Sequence, residues 1–498
     1  MTKACGDAAP TAPETSKRCR ARTVAPVVER RRAYQNACAK GHPKINSSDL
    51  LQASQPASPF PCWTRSSAAA PGGKLERQVH HRRHGLREAV HGALLPAGAE
   101  PLHLHAQLLP RLLPEVPPQD LNDTFWRREP TAGPLFVYTG NEGGIEWFAT
   151  NTGFMFDIAP DFGALLVFIE HRYYGESKPF GNDSYKSADT LGYLTSTQAL
   201  ADFAILITSL KQNLSAVDAP VVVFGGSYGG MLASWFRLKY PHVAIGALAS
   251  SAPILQFDDI TPWSSFDDTV SQDFKSESLN CFSVIKAVWD VLDEKGSNET
   301  GLLELSKTFR TCKTVHSVSR LGLWLRAAFT TTAMVDYPTP ANFMMNLPAY
   351  PVKEMCKIID TFPAGADVID KAFAAASLYY TYTGDQKCFE VEGGDDPHGL
   401  HGWGWQACTE MFMPMTGCFM FYGVRPRMHW ITTQYGGHKI DKVVKRFGSN
   451  IIFSNGMRDP WSGGGVLKNI SSSIIALVTE KVVMFRGPSF GPQICNQG

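Results

Sequence analysis

The chain has 498 residues, of which 44% are hydrophobic and 19% charged, a composition that supplies a sizeable core and excludes disordered, collagen-like and small disulfide-stapled proteins. Its 47 basic and 46 acidic residues give a net charge of +1, which offers no electrostatic reason to bind nucleic acid or an anionic membrane. No apolar run approaches the roughly 18 residues that a membrane span requires, so we expect no membrane span. Because the charge is balanced, the expected partner is a small or peptidic molecule.

Residues 1–120 form an atypical N-terminal segment. It is rich in Arg, Ala, Pro and Ser and carries three consecutive arginines, Arg30, Arg31 and Arg32. Because it has almost no periodic apolar pattern over its first ninety residues, its composition predicts disorder. No basic start followed by roughly 7 to 15 apolar residues is visible before Phe60, so we expect no secretory signal peptide in this segment.

From Gly133 onward, apolar strands alternate with helical patterns. The predicted strands cover residues 134–139, 164–170, 220–225 and 244–249. One predicted helix ends near residue 161, and two others cover 196–210 and 229–240. Strands that are apolar throughout are typical of parallel sheets covered on both faces. The alternation therefore predicts an α/β domain.

The alternation stops between residues 257 and 422, where helical spacing returns in stretches such as 284–292 and 368–379. Six cysteines lie in this region: Cys281, Cys312, Cys356, Cys388, Cys408 and Cys418. An even set suits three disulfides, and the rival zinc site is disfavoured because no C-x-x-C or paired Cys/His spacing occurs here, so we expect no metal. The strand pattern resumes at 451–454, which predicts a helical insertion within the α/β domain.

The sequence Gly225-Gly226-Ser227-Tyr228-Gly229 joins a buried strand to a helix and matches G-x-S-x-G. In a nucleophile elbow the serine hydroxyl projects above the sheet, and the N–H of the next residue, Tyr228, faces the developing oxyanion. The second donor is expected from the earlier loop at Gly140 and Asn141. The alternative interpretation is a glycine-rich turn with an incidental serine.

A single carboxylate follows the strand at 451–454, in the sequence Asn455-Gly456-Met457-Arg458-Asp459-Pro460-Trp461. In α/β-hydrolases the acid follows the serine on a loop after a later strand, so Asp459 is the predicted acid. The alternative is a turn-forming Asp before Pro. Trp461 and Met231 are candidates for an apolar pocket wall, although plain core packing explains both equally well.

Six motifs in one order resemble the serine peptidase family of lysosomal Pro-X carboxypeptidase and dipeptidyl-peptidase II. They are Asn141-Glu142-Gly143, EHRYYGES at 170–177, GGSYGG at 225–230, QACTE at 406–410, WITT at 430–433 and NGMRDPWSGGG at 455–465. The resemblance implies an α/β-hydrolase fold with a helical cap, divided as 121–256 and 423–481 for the core and 257–422 for the cap. It also implies acyl-enzyme chemistry without a cofactor, and the GVRPRMHWITT run favours release of a C-terminal residue after proline.

The resemblance further implies a glycoprotein of the lysosome, the vacuole or the secretory route. The sequons at Asn122, Asn182, Asn213, Asn298 and Asn469 agree with this location. The expected partners are peptides with a penultimate proline, and a homodimer stays open. Glu410 and Met413 join Met231 and Trp461 as expected pocket residues.

The chain departs from the family at three places. After IIALVTEK at 474–481, which we interpret as helix-forming, the family continues to Gly-Ala-His-His, whereas residues 482–486 read VVMFR and no histidine follows His438. The cap segment at 415–418 is shortened, which we expect to alter the pocket beside Glu410 and Met413. The segment from about residue 85 to 120 suggests translation in the wrong reading frame. One possible set of codons for residues 97–106, read one base later, encodes a sequence that resembles the first strand of the family.

Loss of the triad base predicts no more than trace peptidase activity for residues 1–498 as printed. His429 and His438, predicted in a strand and the loop after it, are weak substitutes for this base. Three hypotheses follow. The first is a post-proline serine exopeptidase with aberrant termini, including an aberrant tail at 482–498. The second is an inactive relative that acts as a binding or decoy protein, and the third is an α/β-hydrolase of another class such as an esterase. A dipeptidyl-peptidase is the alternative within the first of these.

Overall fold

The computed structural model describes residues 119–382, 384, 386–391, 399–411, 413 and 428–483. Predictions that concern residues 1–118, Cys418 and the tail from Met484 onward lie outside these residues. Within them, no helix has the length and hydropathy that crossing a bilayer requires.

Seven strands form one sheet in the order β1-β3-β2-β4-β5-β6-β7. The strands are β1 (Gln119–Asn122), β2 (Leu135–Thr139), β3 (Leu165–Ile169), β4 (Val221–Gly226), β5 (Gly246–Ser250), β6 (Ile451–Gly456) and β7 (Ile474–Thr479). Strand β1 is antiparallel to β3, and every other pair is parallel. The order places β4 near the middle of the sheet, so the serine that follows it lies among the carboxyl ends of several strands.

The helices fall into three groups along the chain. Those between the strands of the first half are α1 (Ile145–Thr150), α2 (Phe154–Phe162), α3 (Ala188–Leu191), α4 (Ser196–Asn213) and α5 (Ser227–Lys239). Those of the insertion between β5 and β6 are α6 (Ser265–Glu277), α7 (Leu279–Lys295), α8 (Glu299–Thr308), α9 (Val318–Met334), α10 (Pro351–Asp360), α11 (Val368–Thr381) and α12 (Trp403–Thr409). Two short helices, α13 (Trp430–Tyr435) and α14 (Val443–Phe447), precede β6, and 3-10 turns cover Gly181–Asp183, Gly437–Lys439 and Pro460–Gly464.

Strands β2 and β3 are buried at every position because helices cover both faces of the sheet. Val137 and Val167 point to the face covered by α4 and α5, whereas Phe136 and Phe168 point to the face covered by α1 and α2. This two-sided burial is why both strands read as continuous apolar runs. The predicted α/β-hydrolase fold is confirmed.

The inserted helices α6 to α11 have a hydrophobic core of their own, separate from the two cores against the sheet. Two disulfides tie it together: Cys281–Cys356 joins α7 to α10, and Cys312–Cys388 joins the loop after α8 to the segment after α11. Cys408, in α12, is disulfide-bonded as well. The insertion therefore supplies the cysteine-containing helical cap that the sequence predicted.

Three local predictions are wrong. The helix expected at 474–481 is strand β7, where β-branched residues continue the sheet beside β6. The stretch around His429 and His438 is helical rather than extended, because α13 begins directly after His429 and His438 lies in a 3-10 turn. The sheet is not wholly parallel, since β1 lies antiparallel at its edge, and its four residues carry too weak an apolar pattern to reveal it.

Candidate active site

Ser227 occupies a strained turn between β4 and α5. Its φ of +56° lies in the left-handed region, which a residue with a side chain adopts at a cost of about 1–3 kcal/mol. A Cβ atom at Gly225 would collide with the Gly229 carbonyl, and one at Gly229 would collide with the Thr139 carbonyl and the Asn141 side chain. The glycines are therefore required by close backbone approach, and the elbow geometry follows from the sequence G-x-S-x-G.

Ser227 lines a small open cleft, with an enclosed volume of about 60 Å³, above the carboxyl ends of the strands. The cleft wall is mainly aromatic and aliphatic and comprises Tyr138, Phe148, Phe154, Met155, Phe224, Leu248, Tyr337 and Phe343. Polar groups are few: Asn141, Asn151, Thr152 and Ser250. An apolar cleft with a few converging polar groups beside a strained serine is the arrangement that a substrate-binding site requires.

The two predicted oxyanion elements differ in what they offer. Tyr228 is the second residue of α5, where a backbone N–H has no partner within its own helix. The Gly140 N–H donates to the Ile169 carbonyl at 2.9 Å, so it has no hydrogen for an oxyanion. Asn141 lines the cleft, and its Nδ2 donates to the Gly226 carbonyl at 2.7 Å, which fixes its loop against the elbow.

The Tyr228 side chain is anchored in a buried polar network. Gln406 Nε2 donates to the Tyr228 hydroxyl at 2.7 Å, and that hydroxyl lies 3.0 Å from His171 Nε2. His171 Nδ1 lies 2.7 Å from the Arg172 carbonyl, so Nδ1 carries the hydrogen and Nε2 accepts from Tyr228. Burial lowers the pKa of His171 to about 3, so this imidazole stays neutral and belongs to the framework.

Glu410 lies in the same network and away from the cleft. Its carboxylate accepts the Ser196 N–H and hydroxyl at 2.9 and 2.7 Å, and Gln406 Nε2 at 2.9 Å. Met231 and Met413 are buried in the core, and Trp461 is half-buried between the sheet core and the cap core. None of the four predicted pocket residues lines the cleft that contains Ser227.

Asp459 lies on the loop after β6 and is fully buried. Its Oδ1 accepts the Trp461 N–H at 3.0 Å, and Oδ2 has no hydrogen-bond partner among the described residues. Burial raises the pKa of Asp459 to about 7, with the Trp461 N–H and the nearby Ser251 hydroxyl offsetting only part of the effect. A buried carboxylate oxygen without a partner is costly, so a hydrogen-bond donor beside Oδ2 would stabilise the ionised carboxylate.

The segment after β7 runs along the Asp459 loop. Strands β6 and β7 are in register to their ends, where Met457 N–H donates to the Thr479 carbonyl at 2.9 Å and Arg458 N–H to the Val482 carbonyl at 3.1 Å. A side chain shortly after β7 is thus close to the acid. In this sequence the described positions there are Lys481, Val482 and Val483, none of which supplies an imidazole.

The substitute histidines lie elsewhere. The His429 and His438 rings are 5.4 Å apart, and His429 Nε2 lies 4.0 Å from the Asp259 carboxylate at an exposed position. Neither is bonded to Ser227 or Asp459 within the described residues. The cleft residues Tyr337 and Phe343 were not predicted from the sequence, because they come from an irregular segment of the insertion that has no periodic pattern.

The five named sequons differ in exposure. Asn182, Asn213, Asn298 and Asn469 are exposed, and Asn122 is half-buried at the end of β1. Three of them use Oδ1 as an acceptor, from Thr124 N–H, Gly301 N–H and Ala476 N–H. In the described part of the chain, no group of three His, Cys, Asp or Glu side chains is arranged to hold a metal ion.

Comparison with known proteins identifies one family. The sequence profile described as "Serine carboxypeptidase S28" matches residues 121–422. Bovine lysosomal Pro-X carboxypeptidase is 45% identical over 382 residues, which cover 72% of this chain and 75% of the bovine protein. The human protein of the same name is 43% identical over 385 residues, covering 72% and 76%, and "Prolyl carboxy peptidase like protein 5" of Caenorhabditis elegans is 37% identical over 391 residues, covering 70% and 77%.

Proposed function

The chain belongs to the serine carboxypeptidase S28 family, and we propose that its site performs acyl transfer to release the C-terminal residue of a peptide after proline. The observation that carries this proposal is Ser227, held at positive φ at the mouth of an apolar cleft. The Pro-X specificity is taken from the names of the bovine and human relatives and is part of the proposal.

In the first step, Ser227 Oγ attacks the carbonyl carbon of the scissile bond while a base accepts the hydroxyl proton. The carbonyl oxygen becomes an oxyanion, which the Tyr228 N–H and the Asn141 N–H stabilise. The C–N bond then breaks, and the protonated base returns its proton to the leaving amine. The products are the free C-terminal amino acid and an ester between Ser227 and the rest of the peptide.

In the second step, water attacks the ester carbonyl with the same base, the oxyanion forms again, and Ser227 leaves with the returned proton. Asp459 orients the base through Oδ2 and stabilises its protonated form. Gly140 has no role here because its N–H is engaged with Ile169.

The substrate proposal has support from the cleft and from the relatives. Rings from Phe148, Phe154, Tyr337 and Phe343 surround space beside Ser227, which favours apolar side chains next to the scissile bond. Met231 is buried in the core and Trp461 lies outside this cleft wall, so neither is proposed as a substrate contact. We propose a lysosomal, vacuolar or secreted location, in line with the names of the relatives and the two disulfides.

The base is the one component that the described residues do not supply. Its expected position is next to Asp459 Oδ2, beside the segment that follows β7. With valines in that segment, we propose that residues 1–498 as printed hydrolyse peptides only at trace rates. This observation also favours a second candidate function, in which the folded chain binds proline-containing peptides without cleaving them.

The test uses a fluorophosphonate probe and three substrates. The full chain and its Ser227→Ala variant are incubated with the probe, and the labelled residue is mapped by mass spectrometry; labelling on any residue other than Ser227 contradicts the assignment. A peptide ending in Pro-Phe, an X-Pro amide with a free N-terminus and a simple ester then separate carboxypeptidase, dipeptidyl-peptidase and esterase activity. Saturable binding of the Pro-Phe peptide without hydrolysis is the result expected from the binding function.

A further inference from the structure

Arg458 directly precedes Asp459 and extends into the cap. Its Nε lies 3.3 Å from Asp273 Oδ1 in α6, and its Nη2 lies 3.5 Å from Asp336 Oδ2, two residues after α9. Both carboxylate side chains are buried, at 7% and 4% exposure, whereas the arginine is 27% exposed. One guanidinium thus faces two buried carboxylates from different parts of the cap.

Trp461, on the other side of Asp459, also reaches the cap. Its ring packs edge to face on Phe266 at 4.8 Å, and its Nε1 lies 3.1 Å from Met334 Sδ. The loop that carries Asp459 is therefore attached to α6 and α9 on both sides. The attachment at Trp461 consists of a ring contact and a weak N–H···S hydrogen bond, and the attachment at Arg458 is ionic.

Asp336 is fixed independently of the arginine, since its Oδ1 accepts the Val352 N–H at 3.0 Å. Asp273 Oδ2 has no hydrogen-bond partner among the described residues. Two carboxylates so deeply buried are tolerated as anions only with a compensating cation, and removing one partner of a buried pair is strongly destabilising. Arg458 is the cation that faces both.

We propose that Arg458 is a positioning residue that holds the Asp459 loop in place by neutralising Asp273 and Asp336, a role that rests on the proposed function of Asp459. The ionic attachment links the acid of the active site to the cap. Movement of the cap against the sheet would accordingly move Asp459. A cap held in place keeps the unpaired Asp459 Oδ2 directed towards the proposed catalytic base.

Charged groups around this cluster define its pH dependence. Burial raises the pKa of Asp273 to about 7 against the lowering effect of Arg458, and the neighbouring Asp336 and Asp459 raise it further. Burial also raises the pKa of Asp336, opposed by the Val352 N–H and Arg458 and assisted by Glu277. At acidic pH both carboxyls are protonated and uncharged, so they gain little from the positive charge of Arg458. At neutral pH they are increasingly ionised and require that charge.

The experiment compares the full chain with Arg458→Met, and with Arg446→Met as a matched control on the surface of α14. Thermal unfolding midpoints are measured at one scan rate near about pH 4.5 and about pH 7.5. We expect Arg458→Met to lower the midpoint by about 5–10 °C at the higher pH and by less than about 3 °C at the lower pH. In the same samples, hydrogen exchange in the peptide spanning 455–465 is expected to accelerate at least about tenfold at the higher pH.

A third variant, Arg458→Met with Asp273→Asn and Asp336→Asn, removes the unpaired charges while keeping the side-chain shapes. It should restore the midpoint at the higher pH to within about 3 °C of the parent and slow the exchange again. An equal loss at both pH values, unchanged exchange at 455–465 or no rescue would each overturn the proposal. None of these readouts requires turnover, so an inactive chain would count against the proposed function and leave this result readable.

Discussion

At the scale of single residues, close backbone approach explains most of the site. Gly225 and Gly229 let β4 and α5 cross at the elbow, and Asn141 fixes the neighbouring loop through the Gly226 carbonyl. These constraints act within a short stretch of sequence or between adjacent strands. They are the reason that a local pattern sufficed to predict the turn that carries Ser227 and Tyr228.

We expect Gly225→Ala to lower the free energy of unfolding by at least about 2 kcal/mol, because its Cβ would collide with the Gly229 carbonyl. Gly322→Ala in α9 is the matched control, since its Cβ would meet nothing within 4 Å, and it should raise the stability by about 0.5–1 kcal/mol. Urea unfolding followed by circular dichroism measures both. Equal effects would show that the elbow is not tightly packed.

Tyr228→Phe is expected to destabilise the chain by about 1–3 kcal/mol, since it leaves His171 Nε2 without its donor and one of the two Gln406 Nε2 hydrogens without its acceptor. Tyr350→Phe, at a residue that is 49% exposed, should change the stability by less than about 0.5 kcal/mol. The same unfolding assay applies. A neutral Tyr228→Phe would mean that the network does not hold the oxyanion donor.

At the scale of elements, apolar periodicity predicted the central strands and the long helices, whereas it did not predict the two edge strands of the sheet. Strands β2 to β6 and helix α4 lie close to their predicted positions because their buried residues dictate the apolar pattern of their sequences. Strand β7 was misread as a helix because its apolar run ends in Thr-Glu-Lys, and its pairing with β6 depends on tertiary structure. Tyr337 and Phe343 reach the cleft only through the packing of the insertion, which no local pattern encodes.

The disulfides Cys281–Cys356 and Cys312–Cys388 of the cap are expected to differ in their ease of reduction. They close loops of nearly equal length, with sequence separations of 75 and 76 residues, so chain entropy does not distinguish them. Cys281 and Cys356 are buried, whereas Cys312 and Cys388 are exposed. Under mild reductant without denaturant, alkylation and mass spectrometry should find Cys312 and Cys388 modified first, and earlier modification of Cys281 and Cys356 would contradict this cap structure.

At the scale of the whole molecule, buried carboxyls couple stability to acidity. Burial raises the pKa of Glu142, Asp273 and Asp459 to about 7 and that of Glu170 to about 6. Between the ordinary pKa near about 4 and these values, the folded state binds more protons than the unfolded state. The free energy of unfolding therefore falls as pH rises through this window, and the buried His171, whose pKa is lowered, opposes the four carboxyls only in part.

We expect the midpoint of urea unfolding to be higher near about pH 5 than near about pH 7.5. Glu142→Gln should weaken this dependence, because it removes one half-buried group with a raised pKa. Glu176→Gln, at an exposed position in the loop after β3, is the control and should leave it unchanged. Stability that rises towards neutral pH would show that these carboxyls are not buried in solution.

The most direct test of the account restores the base beside Asp459. The chain as printed is compared with a variant in which the residues after Lys481 are replaced by a segment carrying Gly-Ala-His-His, each with and without Ser227→Ala, on a Pro-Phe peptide at acidic pH. We predict turnover in the histidine-containing chain, its loss on Ser227→Ala, and a rate at least about 10⁴-fold lower without the histidine. Equal turnover with and without the histidine, or turnover that survives Ser227→Ala, would contradict the assignment of Ser227 and Asp459 as nucleophile and acid of an imidazole-dependent peptidase.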